Sequence, residues 1–248
     1  MQRAYFRFYA ELNDLLPSSQ RGNGFTCAFD ASASVKDVIE AFGVPHTEID
    51  LILVNGRSVD FSWHPRDGDR ISVYPVFRSI DTAPLARVGS PPPHMRFILD
   101  THLGRLAAYL RMLGFDSFYC NDSQDAELAQ ISKDERRILL TRDRGLLKRS
   151  IVTHGHFVRS VHPQQQLVEV LRRFDLSGSI VPFRRCLHCN ALLHTVPKDL
   201  VSHRLLPKTK QYYEQFHVCL ECDRIYWKGS HYQRMRKLIE QVVGDSAG

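Results

Sequence analysis

The sequence predicts an α/β chain in three parts: a small mixed-sheet domain, a parallel α/β sandwich and a C-terminal zinc-bound ribbon. Three observations predict it. Residues 1–78 carry short strand patterns around a single helix. Residues 96–176 repeat a strand-then-helix rhythm. Four cysteines form two Cys-x-x-Cys pairs, Cys186 with Cys189 and Cys219 with Cys222, within residues 177–248. Between the first two parts lies a linker, residues 79–95, with Pro84, Pro91, Pro92 and Pro93 beside Gly89 and Ser90. Consecutive prolines favour an extended, semi-rigid spacer.

In the first part, residues 4–9 alternate as a strand and 25–29 read as its hairpin partner. Ser34 caps a helix over 35–42, which stops at Gly43 and Pro45. Residues 51–54 form an apolar strand that ends in the turn Asn55-Gly56. Asp67-Gly68-Asp69 is a second turn, before a strand at 70–75. Strands around one helix in so short a span describe a β-grasp domain. "LILVNG" and "DGDRISVYP" resemble the ubiquitin-like sulfur carriers. Those carriers need a free Gly-Gly terminus. Here the corresponding place reads Pro75-Val76-Phe77-Arg78 and the chain continues, so the expected role is docking to a protein partner.

In the second part, 97–99 is a short strand closed by Asp100, and 103–113 is a helix that stops at Gly114. A strand at 115–120 and a helix at 125–135 follow. The next strand, 138–141, is closed by Arg142-Asp143; then come a short helix and a strand near 157–161. Pro163 opens a last helix over 164–174. This alternation implies a parallel sheet with helices on both faces.

In the third part, a Cys-x-x-Cys turn aims both sulfurs at one cation, and two such turns complete a tetrahedron. Disulfides would suit a secreted chain, but the first twelve residues mix Arg3, Arg7 and Glu11 with aromatics and lack an apolar signal core. Cys27 and Cys120 lie outside the pattern and read as small core residues. His188 sits inside a knuckle and reads as exposed, since four cysteines already fill the site.

The net charge of +6 is uneven: −2 over 1–95, +3 over 96–176 and +5 over 177–248. The gradient suggests a polyanionic partner for the C-terminal half. No apolar run approaches the roughly 20 residues of a membrane helix, so the expected setting is the cytoplasm.

Ligands of an open parallel sheet bind at the carboxyl ends of its strands. Asp100 and Asp143 close two of the strands, and Asp122, Asp125 and Glu127 lie at the start of the second helix. Asp125 and Asp143 also suit helix capping. Gathered at one sheet edge, such carboxylates repel one another unless a cation intervenes, and their oxygens suit Mg²⁺ or Mn²⁺.

"FILDTHLGRLAAYLRMLGFDSFY", "DAELAQISKDERRILLTRDRGLL" and the cysteine knuckles resemble the Mut-seven C-terminal RNase family, PIN-like nucleases with an appended zinc ribbon. The first part resembles the ubiquitin-like domain fused to that family in bacteria. The resemblance implies a PIN-like sandwich and metal-dependent hydrolysis of single-stranded RNA. It assigns Asp100 and Asp143 as metal-holding acids, with Asp125 as the middle one and Asp122 and Glu127 as competitors. Arg105, Arg111, Arg142 and Arg144 lie on or beside these motifs and are candidates to hold the substrate phosphate.

The ribbon interleaves Lys198, Arg204, Lys208 and Lys210 with Tyr212, Tyr213 and Phe216, and then Tyr226 and Trp227 with Lys228. That mixture suits phosphate contacts and base stacking on RNA, a tRNA or another structured RNA included. Phe216 and Tyr226 read rather as the ribbon's own core. Three other readings compete: a non-catalytic RNA-binding adaptor, a toxin-like nuclease and a DNA nuclease.

Overall fold

The structure, a computed structural model, describes residues 1–76, 88 and 94–247. Most of the predicted linker lies outside the described residues. The strands are β1 (Gln2–Phe8), β2 (Phe25–Phe29), β3 (Leu51–Val54), β4 (Arg57–Val59), β5 (Arg70–Tyr74), β6 (Arg96–Leu99), β7 (Asp116–Tyr119), β8 (Ile138–Thr141), β9 (Gly155–Phe157), β10 (Leu193–Val196), β11 (Phe216–Cys219) and β12 (Ile225–Trp227). The helices are α1 (Val35–Ala41), α2 (Gly104–Met112), α3 (Asp125–Asp134), α4 (Arg144–Leu147), α5 (Pro163–Phe174), α6 (Lys198–Val201), α7 (Pro207–Tyr212) and α8 (Ser230–Ala247). They fall into two compact units. One is Met1–His94 with Gln124–Phe157, and the other is Met95–Ser123 with Val158–Gly248.

The first unit holds a five-stranded sheet in the order β2-β1-β5-β3-β4. β1 lies between β2, its antiparallel hairpin partner, and β5, to which it runs parallel. β1 alternates, so Ala4, Phe6 and Phe8 point into the core. α1 closes that core with Val35 and Ile39, against Ile52, Ile71 and Val73. Its start is a reciprocal capping box: Ser34 Oγ accepts from Asp37 N, and Asp37 accepts from Ser34 N at 3.0 Å. The same unit contains α3, β8, α4 and β9. All four residues of β8 are buried, as expected of a parallel strand covered on both faces, and β8 runs parallel to β9.

In the second unit β6 runs parallel to β7, joined through α2. α2 stops where the sequence predicts, at Gly114, whose φ of +97° is left-handed. A Cβ there would lie 2.2 Å from Val181 O, because Val181 N and Phe183 N bond back to Leu113 O and Met112 O. Gly114→Ala is therefore expected to destabilise the protein by about 2 kcal/mol or more. Denaturant unfolding with an unchanged midpoint would refute this. Pro163 is the first residue of α5, and α5 packs against α2 and α8. The ribbon is an antiparallel meander in the order β10-β11-β12.

Two expectations need correction. The strand placed near 157–161 runs instead over Gly155–Phe157, because its middle residue, His156, is held in the interior by a distant carboxylate. Cys120 is exposed rather than core, since β7 ends at Tyr119 before reaching it. Cys27 is half-buried and packs against the core of the first sheet.

Candidate functional site

The two cysteine turns have the same construction. Cys186 N donates to Ala191 O at 2.8 Å, and Cys219 N donates to Arg224 O at 2.9 Å. Asn190 N returns to Cys186 O, and Asp223 N returns to Cys219 O. Both returning residues have positive φ, +77° and +56°, which Asn and Asp tolerate better than other side chains. Each turn thus points its sulfurs inward.

The four Sγ atoms lie within 4.8 Å of one another, with Cys186 to Cys222 at 3.5 Å and Cys189 to Cys219 at 3.3 Å. Tetrahedral Zn–S bonds of about 2.3 Å place sulfurs just under about 4 Å apart, so this donor set fits zinc. Burial pushes the Cys186 thiol up. Hydrogen bonds from Tyr226, from the backbone at Cys189 and His188, and from Cys222 outweigh it and bring Cys186 down to about 6. Burial and the competing thiols push Cys222 up to about 12. Cysteine binds zinc as the thiolate, so loading this site releases protons. His188 is exposed at the knuckle, as expected.

The first knuckle is stitched to β7. Asn190 Oδ1 accepts from Ser117 N at 2.9 Å, and Asn190 Nδ2 donates to Asp116 Oδ1 at 2.8 Å. Arg111 is only 4% exposed. It donates through Nε to Ser117 O and through Nη1 to Leu187 O and His188 O. Burial lowers its pKa, while the charges of Cys186, Cys189 and Asp116 act to raise it. Arg111 is thus an interior bracket beside the cysteine turn, whereas the sequence made it a candidate to hold the substrate phosphate. Sequence reasoning missed Asn190, although the residue after a Cys-x-x-Cys pair is where a left-handed turn is needed.

Asp100 follows β6 and is 6% exposed. Its Oδ1 accepts from Thr101 N at 2.6 Å and from Thr101 Oγ1 at 3.1 Å. Tyr119 closes over this turn, donating to Thr101 O at 2.8 Å, and a Cβ on Gly104 would lie 2.7 Å from its hydroxyl. Burial raises the Tyr119 pKa, and the Asp100 charge adds to the rise. No local sequence signal marks Tyr119 as the neighbour of Asp100.

Asp143 follows β8 and is exposed. Its N–H donates to Thr141 Oγ1 at 2.9 Å and its Oδ1 accepts from Gly145 N at 2.7 Å, capping α4. Asp125 is the exposed first residue of α3, and Asp122 and Glu127 are exposed beside it. Among the described residues, only the four cysteines form a group of three or more His, Cys, Asp or Glu donors within 4.8 Å of one another. Arg105 is exposed on the first turn of α2, and Arg142 is half-buried. Arg144 Nη1 donates to Leu15 O at 2.7 Å.

In the ribbon, Lys198 pairs with Glu214, Arg204 with Asp223, and Lys228 donates to Gln215. Phe216 is buried in the ribbon core with Val201 and Val218, as expected; Tyr226 is half-buried and reaches Cys186 Sγ at 3.0 Å. A cleft of about 360 Å³ is lined by Arg204, Leu206, Thr209, Arg224 and Trp227, among others. Among the described residues, no helix is long and apolar enough to cross a membrane.

Residues 95–239 match the Mut7-C RNAse domain family. The chain belongs to this family. Residues 1–81 match the Mut7-C ubiquitin family, so the Mut7-C domain follows a ubiquitin-like domain. No curated protein matches the chain. Two solved structures are similar to a part of the chain. One is H. volcanii small archaeal modifier protein 1, at 18% identity and a TM-score of 0.25, covering 30% of this chain and 98% of that one. The other is SAMP1 from Haloferax volcanii, at 17% identity and a TM-score of 0.25, covering 32% and 99%.

Proposed function

We propose that the chain is a metal-dependent ribonuclease of PIN-like class that hydrolyses phosphodiester bonds in single-stranded RNA, with a zinc ribbon that helps to bind the RNA. The observation that carries this reading is the Mut7-C RNAse match over residues 95–239, which contains an aspartate directly after β6 and another two residues after β8. Strand carboxyl ends are where parallel sheets hold ligands.

In this reading Asp100, Asp125 and Asp143 hold Mg²⁺ or Mn²⁺. Their all-oxygen donor chemistry fits such hard cations. When bound, the ion supplies Lewis acidity toward phosphate and water. Asp100 is well placed for that work because it is largely removed from solvent, where a carboxylate acts more strongly on a neighbouring charge. The Thr101 and Gly145 amides orient the Asp100 and Asp143 carboxylates. Arg105 and Arg142 hold the substrate phosphate. Arg111 and Arg144 stand apart in this reading, because carbonyl oxygens inside the protein engage them. In the ribbon, exposed Arg224 and Trp227 at the cleft offer a cation and a stacking face to the RNA. The cytoplasm is the proposed setting.

A second reading is the RNA-binding adaptor, favoured by the structural use of Asp143, whose Oδ1 accepts from Gly145 N and caps α4. Labelled single-stranded RNA, tRNA and single-stranded DNA, each with Mn²⁺, Mg²⁺ or EDTA, separate the two. Cutting of RNA that EDTA abolishes, with zinc still bound, is the expected result. RNA binding without cutting under any metal would replace the nuclease by the adaptor.

A further inference from the structure

The ubiquitin-like domain does more in this fold than precede the Mut7-C domain: within the first unit it grips α4 and β9. Arg144 and Lys148 are four residues apart, so they share one face of α4 and its end. Arg144 Nη1 donates to Leu15 O at 2.7 Å, and Lys148 Nζ donates to Glu40 O at 2.5 Å. The approach at Arg144 is close. A Cβ on Gly43, already at φ +96°, would lie 3.2 Å from Arg144 Nη1 and 3.3 Å from Leu15 O.

The second grip is on β9. Glu48, 1% exposed, accepts from Phe157 N at 2.6 Å and engages His156 Nδ1 at 3.0 Å. His46 completes it, with Nε2 at 2.8 Å from Val152 O and Nδ1 at 2.7 Å from Glu40 Oε1. Phe157 packs against the core of the ubiquitin-like sheet, and the Arg144 guanidinium lies over its ring.

Both grips lead to Asp143. Phe157 is the register partner of Thr141 in the parallel ladder. Thr141 Oγ1 accepts from Asp143 N, and on the other side Asp143 Oδ1 is tied to Gly145 N in α4. The aspartate therefore sits on a turn whose two supports are each anchored to the first domain. We propose that the ubiquitin-like domain is an intramolecular clamp that fixes the Asp143 turn, with Lys148 and Glu48 as positioning residues. The catalytic part of this proposal rests on the nuclease reading of Asp143.

The test uses the full-length chain and compares wild type with Lys148→Met, Lys148→Arg and Glu48→Gln. Hydrogen exchange is followed in peptides covering residues 142–148, alongside Mn²⁺ binding and the kcat and KM of RNA cleavage. Lys148→Met removes a charge-assisted bond at a half-buried site, so exchange over 145–148 should rise about tenfold or more. Mn²⁺ affinity and kcat should fall with KM for RNA unchanged, and Lys148→Arg should restore all three. Unchanged exchange in both Lys148→Met and Glu48→Gln would overturn the clamp. Faster exchange with full kcat and full Mn²⁺ affinity would overturn its role in positioning. A wild type that cuts no RNA and binds no Mn²⁺ would sink the nuclease reading and the catalytic part of the clamp, and the exchange data then decide the grip alone.

Discussion

Asp100→Asn is expected to slow RNA cleavage by about a thousandfold while leaving the fold intact. A cation that stabilises charge on phosphate supplies several kcal/mol, and each 1.36 kcal/mol is a factor of about ten in rate. Asparagine keeps an oxygen for the Thr101 amide, so the turn that Asp100 caps survives the change. The same logic applies to Asp143, where serine provides a second control. Serine and asparagine both cap helices well, so Asp143→Asn and Asp143→Ser should hold α4 and lose the carboxylate charge. Single-turnover cleavage rates and melting curves of the three variants are the measurement. If the asparagine variants cut as fast as wild type, these aspartates are caps and nothing more.

Cys219→Ser is expected to abolish stoichiometric zinc binding and unfold the ribbon. The ribbon's own buried apolar cluster is small: Val201, Phe216 and Val218, with a few half-buried neighbours. So few side chains supply little folding free energy, whereas structural zinc contributes about 10–16 kcal/mol in finger peptides near neutral pH. The loss should spread beyond the ribbon. Arg111 is buried with its guanidinium on the Leu187 and His188 carbonyls, so an unfolded knuckle strands a cation in the interior. Removing a partner from a buried charge costs about 3–5 kcal/mol. Metal content by atomic absorption, with hydrogen exchange over 104–119, checks both parts. A Cys219→Ser protein that keeps one zinc and an unchanged exchange pattern would refute the assignment.

The elements that local pattern determines were legible in the sequence. Phe25–Phe29, Leu51–Val54 and Ile138–Thr141 are strands with the bounds their apolar runs suggest. The four-cysteine group was legible because each Cys-x-x-Cys turn is set by short-range spacing. What stayed hidden depends on distant partners. His156 interrupts the apolar run of β9, and its partner Glu48 lies 108 residues away. Arg111 read as a phosphate contact because the carbonyls that receive it are 76 and 77 residues further on. Arg144 looked like a phosphate contact, and Leu15, which holds it, is 129 residues earlier. Asp100 and Asp143 were legible as residues that follow strands, but Tyr119, which secures the Asp100 turn, carries no mark in its own segment.

The first compact unit takes residues from two separated stretches of chain, and this has a consequence for biosynthesis. A ribosome delivers the opening stretch first. Until residue 157 follows, Glu48 has no His156 and the sheet lacks the cover of Phe157. At about 5–20 residues per second, that interval lasts seconds, which is long beside the folding of a small domain. The nascent amino-terminal half thus waits with a carboxylate prepared for a partner not yet made. Transplanting the opening gene segment alone, as though it were an independent cassette, would prolong that wait indefinitely.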